Sequence, residues 1–357
     1  MEEPRRLRER ELPFPELTAD TGLLRVEACG LCGTDHEQFT GHLPAGFSFV
    51  PGHEIVGTVE EIGSAAADRW GVQAGDRVAV EVFQSCRDCQ PCRAGEYRRC
   101  EHHGLADMFG FIDVNRAPGL WGGYATHLHL APDTLLLPVP AELDPVVATL
   151  FNPLGAGIRW GVEVPDTQPG EVVVVLGPGI RGLCAASAAK QAGAGFVMVT
   201  GLGARDRGRL GLAREFGADL AIDVAEADPA VALRDATGAL ADVVVDVTAK
   251  APAALAQAVS LATPGGRIVL AGTRGSTDTP GFVPDMIVYK ELRIIGALGV
   301  DAPAYRQAFD LLAKATHPFA DLPRRVEPLD AGRVSSLLST MAGEGDSEPP
   351  VHAVVVP

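Results

Sequence analysis

Four of the seven cysteines, Cys86, Cys89, Cys92 and Cys100, follow one another at intervals of two, two and seven residues on a segment rich in Gly, Arg and Asp. Zinc takes four thiolates tetrahedrally, and short Cys-x2-Cys steps let one chain wrap the ion with little backbone strain. A closed four-cysteine site has no position open to a substrate, so its zinc is expected to be structural and catalysis to lie elsewhere. An iron–sulfur cluster also takes four cysteines, but at different typical spacings. Four unligated thiols on a polar loop would be left reactive. Upstream, Cys32-Gly33-Thr34-Asp35-His36 and Gly52-His53-Glu54 bring a thiol, an imidazole and a carboxylate into one stretch of chain. Three such ligands would leave a fourth position open, which is the catalytic arrangement, although a lone Cys and a lone His are more often buried filler than ligands.

A second kind of chemistry is written in glycines. The apolar run Val172–Leu176 leads into Gly177-Pro178-Gly179-Ile180-Arg181-Gly182 and an Ala-rich stretch to Ala192. Gly177, Gly179 and Gly182 permit a tight turn, close approach of a pyrophosphate and packing of helix on strand, and the helix that opens at Ile180 favours phosphate at its N-terminus. The next apolar run, Phe196–Thr200, ends at Gly201, where an acid would hold the ribose of NAD. Arg205, Arg207 and Arg209 follow instead, with Asp206 among them. This loop welcomes a 2′-phosphate, so NAD(P) is expected, with a slight preference for NADP.

The elements that must carry these residues fall into three sections. From Gly22 to Leu137, short β-rich runs (Leu23–Val26, Ile55–Ile62, Arg77–Val82, Tyr124–His129) are broken by Gly, Pro and Asp, and a mainly β unit over residues 1–150 is expected. Over residues 151–296, six candidate strands alternate with Ala-rich helical stretches, which predicts a doubly wound parallel sheet. They are Val172–Leu176, Phe196–Thr200, Leu220–Asp223, Asp242–Val247, Arg267–Ala271 and Leu292–Ile295. Residues 297–357, with a helix near Pro303–Lys314 and a strand at His352–Val356, are expected to return to the first unit; Gly343–Pro350 reads as a linker. Between the first two sections, Asp144-Pro145 starts a helix toward Val162 that Pro153 must kink beside Asn152.

Composition narrows the function. Hydrophobic residues at 46% and charged residues at 21% describe a folded globular chain. Thirty basic against 46 acidic residues leave a net charge of −16, which repels a phosphate backbone and makes nucleic acid an unexpected partner. No apolar run reaches the roughly 18–20 residues of a membrane helix, and Met1–Glu11 has no apolar core of a signal peptide. No membrane partner and a cytoplasmic location are therefore expected, where clustered cysteines favour metal over disulfides.

Several motifs, in order, resemble the zinc-containing medium-chain alcohol and polyol dehydrogenases. They are Gly30-Leu31-Cys32-Gly33-Thr34-Asp35-His36 with Gly41, Pro51-Gly52-His53-Glu54 with Gly57, and Ala74-Gly75-Asp76-Arg77-Val78. The four-cysteine lobe, Asn152-Pro153-Leu154, the turn at Gly177 and Gly265-Gly266-Arg267-Ile268-Val269 continue the likeness over nearly the whole chain. The resemblance implies a GroES-like, mainly β catalytic domain followed by a Rossmann cofactor domain. It implies Cys32 and His53 as ligands of a catalytic zinc, Glu54 as the adjacent carboxylate that coordinates directly or by exchange, and Asp35 as the carboxylate that orients the ligating imidazole. Thr34 resembles the hydroxyl that contacts the substrate oxygen and passes its proton toward the cofactor ribose and His36; a surface histidine is the alternative for His36.

One departure bears on the chemistry: the family usually places Cys or Glu before Pro-Leu, and this chain has Asn152. An amide oxygen is a poor zinc ligand, so Cys32, His53 and Glu54, with water or substrate, are expected around the catalytic ion. The function implied is hydride transfer between an alcohol, secondary by expectation, and NAD(P), with one catalytic and one structural zinc and a small-molecule alcohol or carbonyl as partner. Asn152 keeps alive transient oxidation for epimerisation or elimination without net redox change. The cysteine lobe alone suggests a zinc-ribbon nucleic-acid binder, which the charge opposes. A homo-oligomer, dimer or tetramer, is expected. Phe47, Phe49, Met108, Phe109, Phe111 and Trp121 hint at an apolar substrate cleft, with buried core the equal alternative for each.

Overall fold

The computed structural model describes every residue except 44, 276, 315–317 and 345–347. The last three belong to the expected linker Gly343–Pro350 and lie outside the described residues. Thirteen strands are found among the described residues. In chain order they are β1 (Gly22–Gly30), β2 (Glu54–Ile62), β3 (Arg77–Val80), β4 (His127–Leu130), β5 (Leu136–Pro138), β6 (Val172–Leu176), β7 (Phe196–Gly201), β8 (Leu220–Asp223), β9 (Ala241–Asp246), β10 (Ala262–Leu270), β11 (Arg293–Gly296), β12 (Arg324–Pro328) and β13 (His352–Val356). The chain divides into two compact units, Met1–Asn152 with Asp301–Pro357, and Pro153–Val300. The cuts fall at 152 and 300 rather than at 150 and 296, because Asn152 and the start of the helix Ala302–Leu312 pack with the first unit.

The first unit is one seven-stranded sheet in the order β12-β13-β1-β2-β3-β5, with β4 also paired to β1. Its long antiparallel pair, β1 with β2, sets Gly30 opposite Glu54. Leu24, Val26, Ile55, Val59, Val78, Val80, Leu128 and Leu130 fill one buried cluster beneath it. Val56, Ala79 and His129, which alternate with them, are also buried, so this part of the antiparallel sheet is covered on both faces. The expected strand Tyr124–His129 begins only at His127, since Gly122, Gly123 and Tyr124 pack against Val50, Pro51, Gly52 and Cys29 instead of extending the ladder.

The second unit is the predicted doubly wound sheet, in the order β11-β10-β9-β6-β7-β8, all parallel. Its central strands are unbroken valine runs, Val173, Val174 and Val175 against Val243, Val244 and Val245, all fully buried as covering on both faces requires. β10 starts at Ala262 rather than Arg267, but its regular ladder to β9 begins only at Arg267, after Pro264 and left-handed Gly265 shift the register.

The expected single kinked helix from Pro145 is two helices, Pro145–Ala148 and Phe151–Ile158, followed by a π turn over Arg159–Glu163. Pro153 lacks an N–H and its ring crowds the carbonyl four residues back, at Thr149, which is where the helix opens. Asp144 caps the first piece by accepting from the N–H groups of Val146 and Val147. Further on, the small residues Gly157 and Gly161 let the chain close on Cys184 and Ala185 of the helix Ile180–Gln191. The solitary Cys184 is fully buried there as core.

Candidate metal centres and nucleotide site

Cys32 is the N-cap of the helix Gly33–Thr40; its N–H donates to Asp35 Oδ2 at 2.8 Å, so the first turn is closed by a carboxylate. The left-handed Gly52 lets the chain turn into β2 with His53 and Glu54 at its start; a Cβ at Gly52 would press on the Tyr124 ring and on Cys29 Sγ. The β1–β2 register then carries Glu54 beside the end of β1, two residues before Cys32. The thiol, imidazole and carboxylate of Cys32, His53 and Glu54 come together, with one ligand atom of each within 4.8 Å of the others. All three are nearly buried, at 5%, 5% and 2% exposure. A buried carboxylate and thiol facing an imidazole need a counter-charge, and soft sulfur with nitrogen and oxygen is a donor set that zinc accepts.

Asp35 is fully buried, and its Oδ1 lies 3.6 Å from His53 Nδ1. Burial works against a charged His53, but Asp35 and Cys32 outweigh it and hold the imidazole well above its ordinary pKa in the metal-free chain. A cation bound there replaces that proton, because zinc takes the neutral imidazole. Gly30 makes room for the carboxylate: a Cβ on it would overlap Glu54 Oε2 and stand 3.3 Å from the Thr149 Cβ. Thr34 Oγ1 lies 3.6 Å from Cys32 Sγ, in the first turn of the same helix as His36. Asn152 is 2% exposed and donates from Nδ2 to the Tyr305 hydroxyl at 3.0 Å.

The four remaining predicted ligands also converge. Cys86, Cys89, Cys92 and Cys100 place their sulfurs within 4.8 Å of one another, with Cys86–Cys92 at 3.9 Å and Cys89–Cys100 at 4.0 Å. Tetrahedral zinc with bonds of about 2.3 Å requires sulfurs about 3.8 Å apart, close to these two separations, so the cradle has the size that the ion needs. Backbone N–H groups of Cys89 and Asp88 hold the Cys86 thiol down to about 6, whereas burial pushes Cys92 up to about 12. A cation is what would let all four act as thiolates together.

At the glycine turn, Gly177 is left-handed, and Gly182 fits only because it lacks a Cβ, which would strike the Gly177 carbonyl. Gly179 has nothing within 4 Å of where its Cβ would stand, and it caps the helix that begins at Ile180 in an extended conformation. The backbone is therefore open to a phosphate at the place where the dinucleotide turn demands it. At the end of β7, Gly201 is enclosed by Pro178, Asp206 and Leu210. Arg205 and Arg207 are exposed, while Arg209 turns to Asp206 at 3.6 Å. The Asp206 carboxylate accepts from the Leu202 N–H, and Asp223 accepts from those of Gly203 and Ala225.

Among the aromatics, Phe109 and Trp121 are core under the β sheet, Phe49 belongs to a second buried cluster that Phe47 packs against, and Met108 packs with Val82, Phe83 and Tyr97. The Phe111 ring is found 5.9 Å from that of His53. Sequence reasoning missed Gly30 as the space for Glu54 and Tyr305 as the partner of Asn152. The β1–β2 pairing signals the first; no local pattern signals the second, 153 residues away.

Residues 18–141 match the alcohol dehydrogenase GroES-like domain and residues 182–314 the zinc-binding dehydrogenase domain. The chain is 66% identical over 358 residues to Probable alcohol dehydrogenase adh of Mycobacterium tuberculosis, covering 100% of this chain and 97% of that protein. It is 31% identical to the sorbitol dehydrogenase of Bacillus subtilis, over 88% of this chain and 84% of the other. A solved structure from Sinorhizobium meliloti 1021, described as a zinc-binding dehydrogenase bound to NADP, superposes with a TM-score of 0.81 at 29% identity, covering 98% and 95% of the two chains. With both domains matched in order and relatives alike from end to end, this chain belongs to the zinc-containing medium-chain alcohol dehydrogenases.

Proposed function

We propose that this protein is a zinc-dependent dehydrogenase that moves a hydride between a secondary alcohol and NAD(P), giving a ketone, or an aldehyde from a primary alcohol. The observation that carries the reading is the buried convergence of Cys32, His53 and Glu54, three ligands that leave a coordination position for substrate. Zinc held there supplies Lewis acidity to the alcohol oxygen, and NAD(P) held at Gly177, Gly179, Ile180 and Gly182 supplies the hydride acceptor. The chain's own residues do the rest. Asp35 fixes the His53 ring; Thr34 accepts the alcohol proton and passes it toward His36. Asn152, a neutral amide, hydrogen-bonds the substrate oxygen without adding charge beside it.

The four-cysteine lobe holds the second, structural zinc, since its ligand set is closed. NADP is the favoured nucleotide: Arg205 and Arg207 are exposed on the loop after β7, and the carboxylates of Asp206 and Asp223 are taken up by backbone N–H groups. We include assembly into a dimer or tetramer, supported by Val288 and Tyr289, exposed at 72% and 74% on the helix beside β11. Among the described residues no helix is long and apolar enough to cross a membrane.

A panel of primary alcohols, secondary alcohols and polyols, each with NAD and NADP, tests the proposal by the absorbance of reduced nicotinamide. Turnover with at least one alcohol, lost in Cys32→Ser, is expected. Exchange of label at the carbinol carbon with no net nicotinamide reduction on any member would replace it with a reaction of no net redox change.

A further inference from the structure

The nucleotide contacts named above all lie on one side of the parallel sheet, at the glycine turn after β6 and on the loop after β7. A dinucleotide reaches further. In a doubly wound sheet its two halves straddle the point where the strand order reverses, at the carboxyl ends of the strands. Here the order β11-β10-β9-β6-β7-β8 reverses between β6 and β9. With the adenosine half over β7, by Gly201 and Arg205, the nicotinamide half falls over β9 and β10.

At that end of the sheet the chain carries a buried ion pair. Asp246, the last residue of β9, is fully buried and in register with Leu176, the residue before Gly177. Its Oδ1 accepts from the N–H and the hydroxyl of Thr248 at 3.0 and 2.6 Å, which turns the carboxylate forward off the strand end. The Thr248 methyl group stands 3.1 Å from where a Cβ on Gly177 would be, so a single side chain separates this carboxylate from the glycine turn. Asp246 Oδ2 accepts from the guanidinium of Arg274, four residues beyond β10.

That guanidinium has donors to spare. A second nitrogen reaches the Gly272 carbonyl at 3.5 Å, while Nε is buried with no hydrogen-bond partner among the described residues. The side chain is 11% exposed. Arginine presents five N–H donors in a rigid fork that matches a phosphate, and a buried donor without a partner is costly. The loop that carries Arg274 is pinned to the same strand ends: the Lys250 N–H donates to the Thr273 carbonyl at 3.2 Å, and Gly272 lies so close that a Cβ on it would strike the Thr248 carbonyl.

We propose that Arg274 is a cofactor-binding residue: its guanidinium, held at the ends of β9 and β10 by Asp246, takes the nicotinamide-side phosphate of NAD(P), across the strand reversal from the glycine turn. The inference rests on the reading of Gly177, Gly179 and Gly182 as the nucleotide site. Calorimetric titration of the zinc-loaded protein with NAD, NADP, ADP and AMP tests it, since AMP ends at the adenosine-side phosphate and ADP adds the second. Arg274→Ala alone strands a buried carboxylate, so it is also made in the Asp246→Asn background, where no charge is left over.

In that background Arg274→Ala is expected to weaken NAD, NADP and ADP by about 10-fold or more, and AMP by less than about twofold. Arg274→Lys keeps a charge against Asp246, which guards the fold, but loses the fork; it is expected to weaken the same three ligands by about threefold. Affinities for NAD, NADP and ADP that neither substitution moves would reduce Arg274 to the counter-charge of Asp246 and overturn the proposal. An equal loss for AMP would also overturn it, by putting the guanidinium on the other phosphate. Failure of the unsubstituted protein to bind either NAD or NADP would overturn the nucleotide site itself, and the inference with it.

Discussion

Replacing Gly30 by alanine should loosen the catalytic zinc while leaving the fold and the second zinc in place. Gly30 ends β1 opposite Glu54, and its φ is not in the left-handed region, so the added methyl group carries no backbone strain. What it meets is Glu54: the new Cβ overlaps Oε2 and stands 3.0 Å from the Glu54 Cβ and 3.3 Å from the Thr149 Cβ. To recover ordinary contact the carboxylate must withdraw by about 1 Å. Zinc–ligand distances hold to about 0.2 Å, so a carboxylate displaced that far no longer coordinates in its original place. Disturbing the support of a ligand weakens metal binding by roughly 10- to 100-fold, or about 1.4–2.7 kcal/mol. Competition against a chromogenic chelator measures this directly: the unsubstituted protein should release two zinc ions per chain in two steps, and Gly30→Ala should shift only the weaker step. Gly211→Ala is the control, since Gly211 lies in the helix Arg207–Leu212 with nothing within 4 Å; alanine there should add up to about 1 kcal/mol of stability and move neither step. Unchanged zinc affinity in Gly30→Ala would show that Glu54 is not the third ligand.

Arg205→Ala should weaken NADP more than NAD and narrow the gap between them, as measured by quenching of protein fluorescence; equal affinities in the unsubstituted protein would remove the preference altogether. Stability should depend on pH through two buried groups of opposite sign. Burial, with Arg324 adding to it, holds His352 down to about 3 from 6.5, so the unfolded chain binds the extra proton and stability falls by about 2 kcal/mol between pH 6.5 and 5. Burial pushes Glu81 up to about 8 from 4.5 despite its bond from Tyr97, so here the folded chain keeps the proton and stability falls by about 3 kcal/mol between pH 4.5 and 7. Glu81→Gln should therefore gain on the unsubstituted protein steadily from pH 5 to 8 in urea midpoints; a difference that does not vary with pH would refute the assignment.

How far each part of the site could be read from the sequence follows the distance over which its residues must cooperate. The glycine turn and the four cysteines are local devices: a left-handed φ at Gly177, a forbidden Cβ at Gly182 and short ligand steps from Cys86 each leave a signature within a few residues. The six strands of the parallel sheet announced themselves because burial on both faces forces runs such as Val172–Leu176. The trio Cys32, His53 and Glu54 needed more, since nothing in its spacing shows that the chain doubles back; the resemblance supplied the roles, and the register of Gly30 with Glu54 supplies the physical cause. Pro153 foretold a break beside Asn152 but not its place, because a proline acts on the carbonyl four residues earlier, at Thr149. The aromatic residues leave both readings open for a related reason: an apolar ring suits a cleft and a core equally, and only the packing decides that Phe109 is core while Phe111 stands beside His53. Tyr305 lies at the far end of this scale. Its bond to Asn152 spans 153 residues and depends on the return of the chain to the first unit, on the cap at Asp301 and on Arg98 in the cysteine lobe.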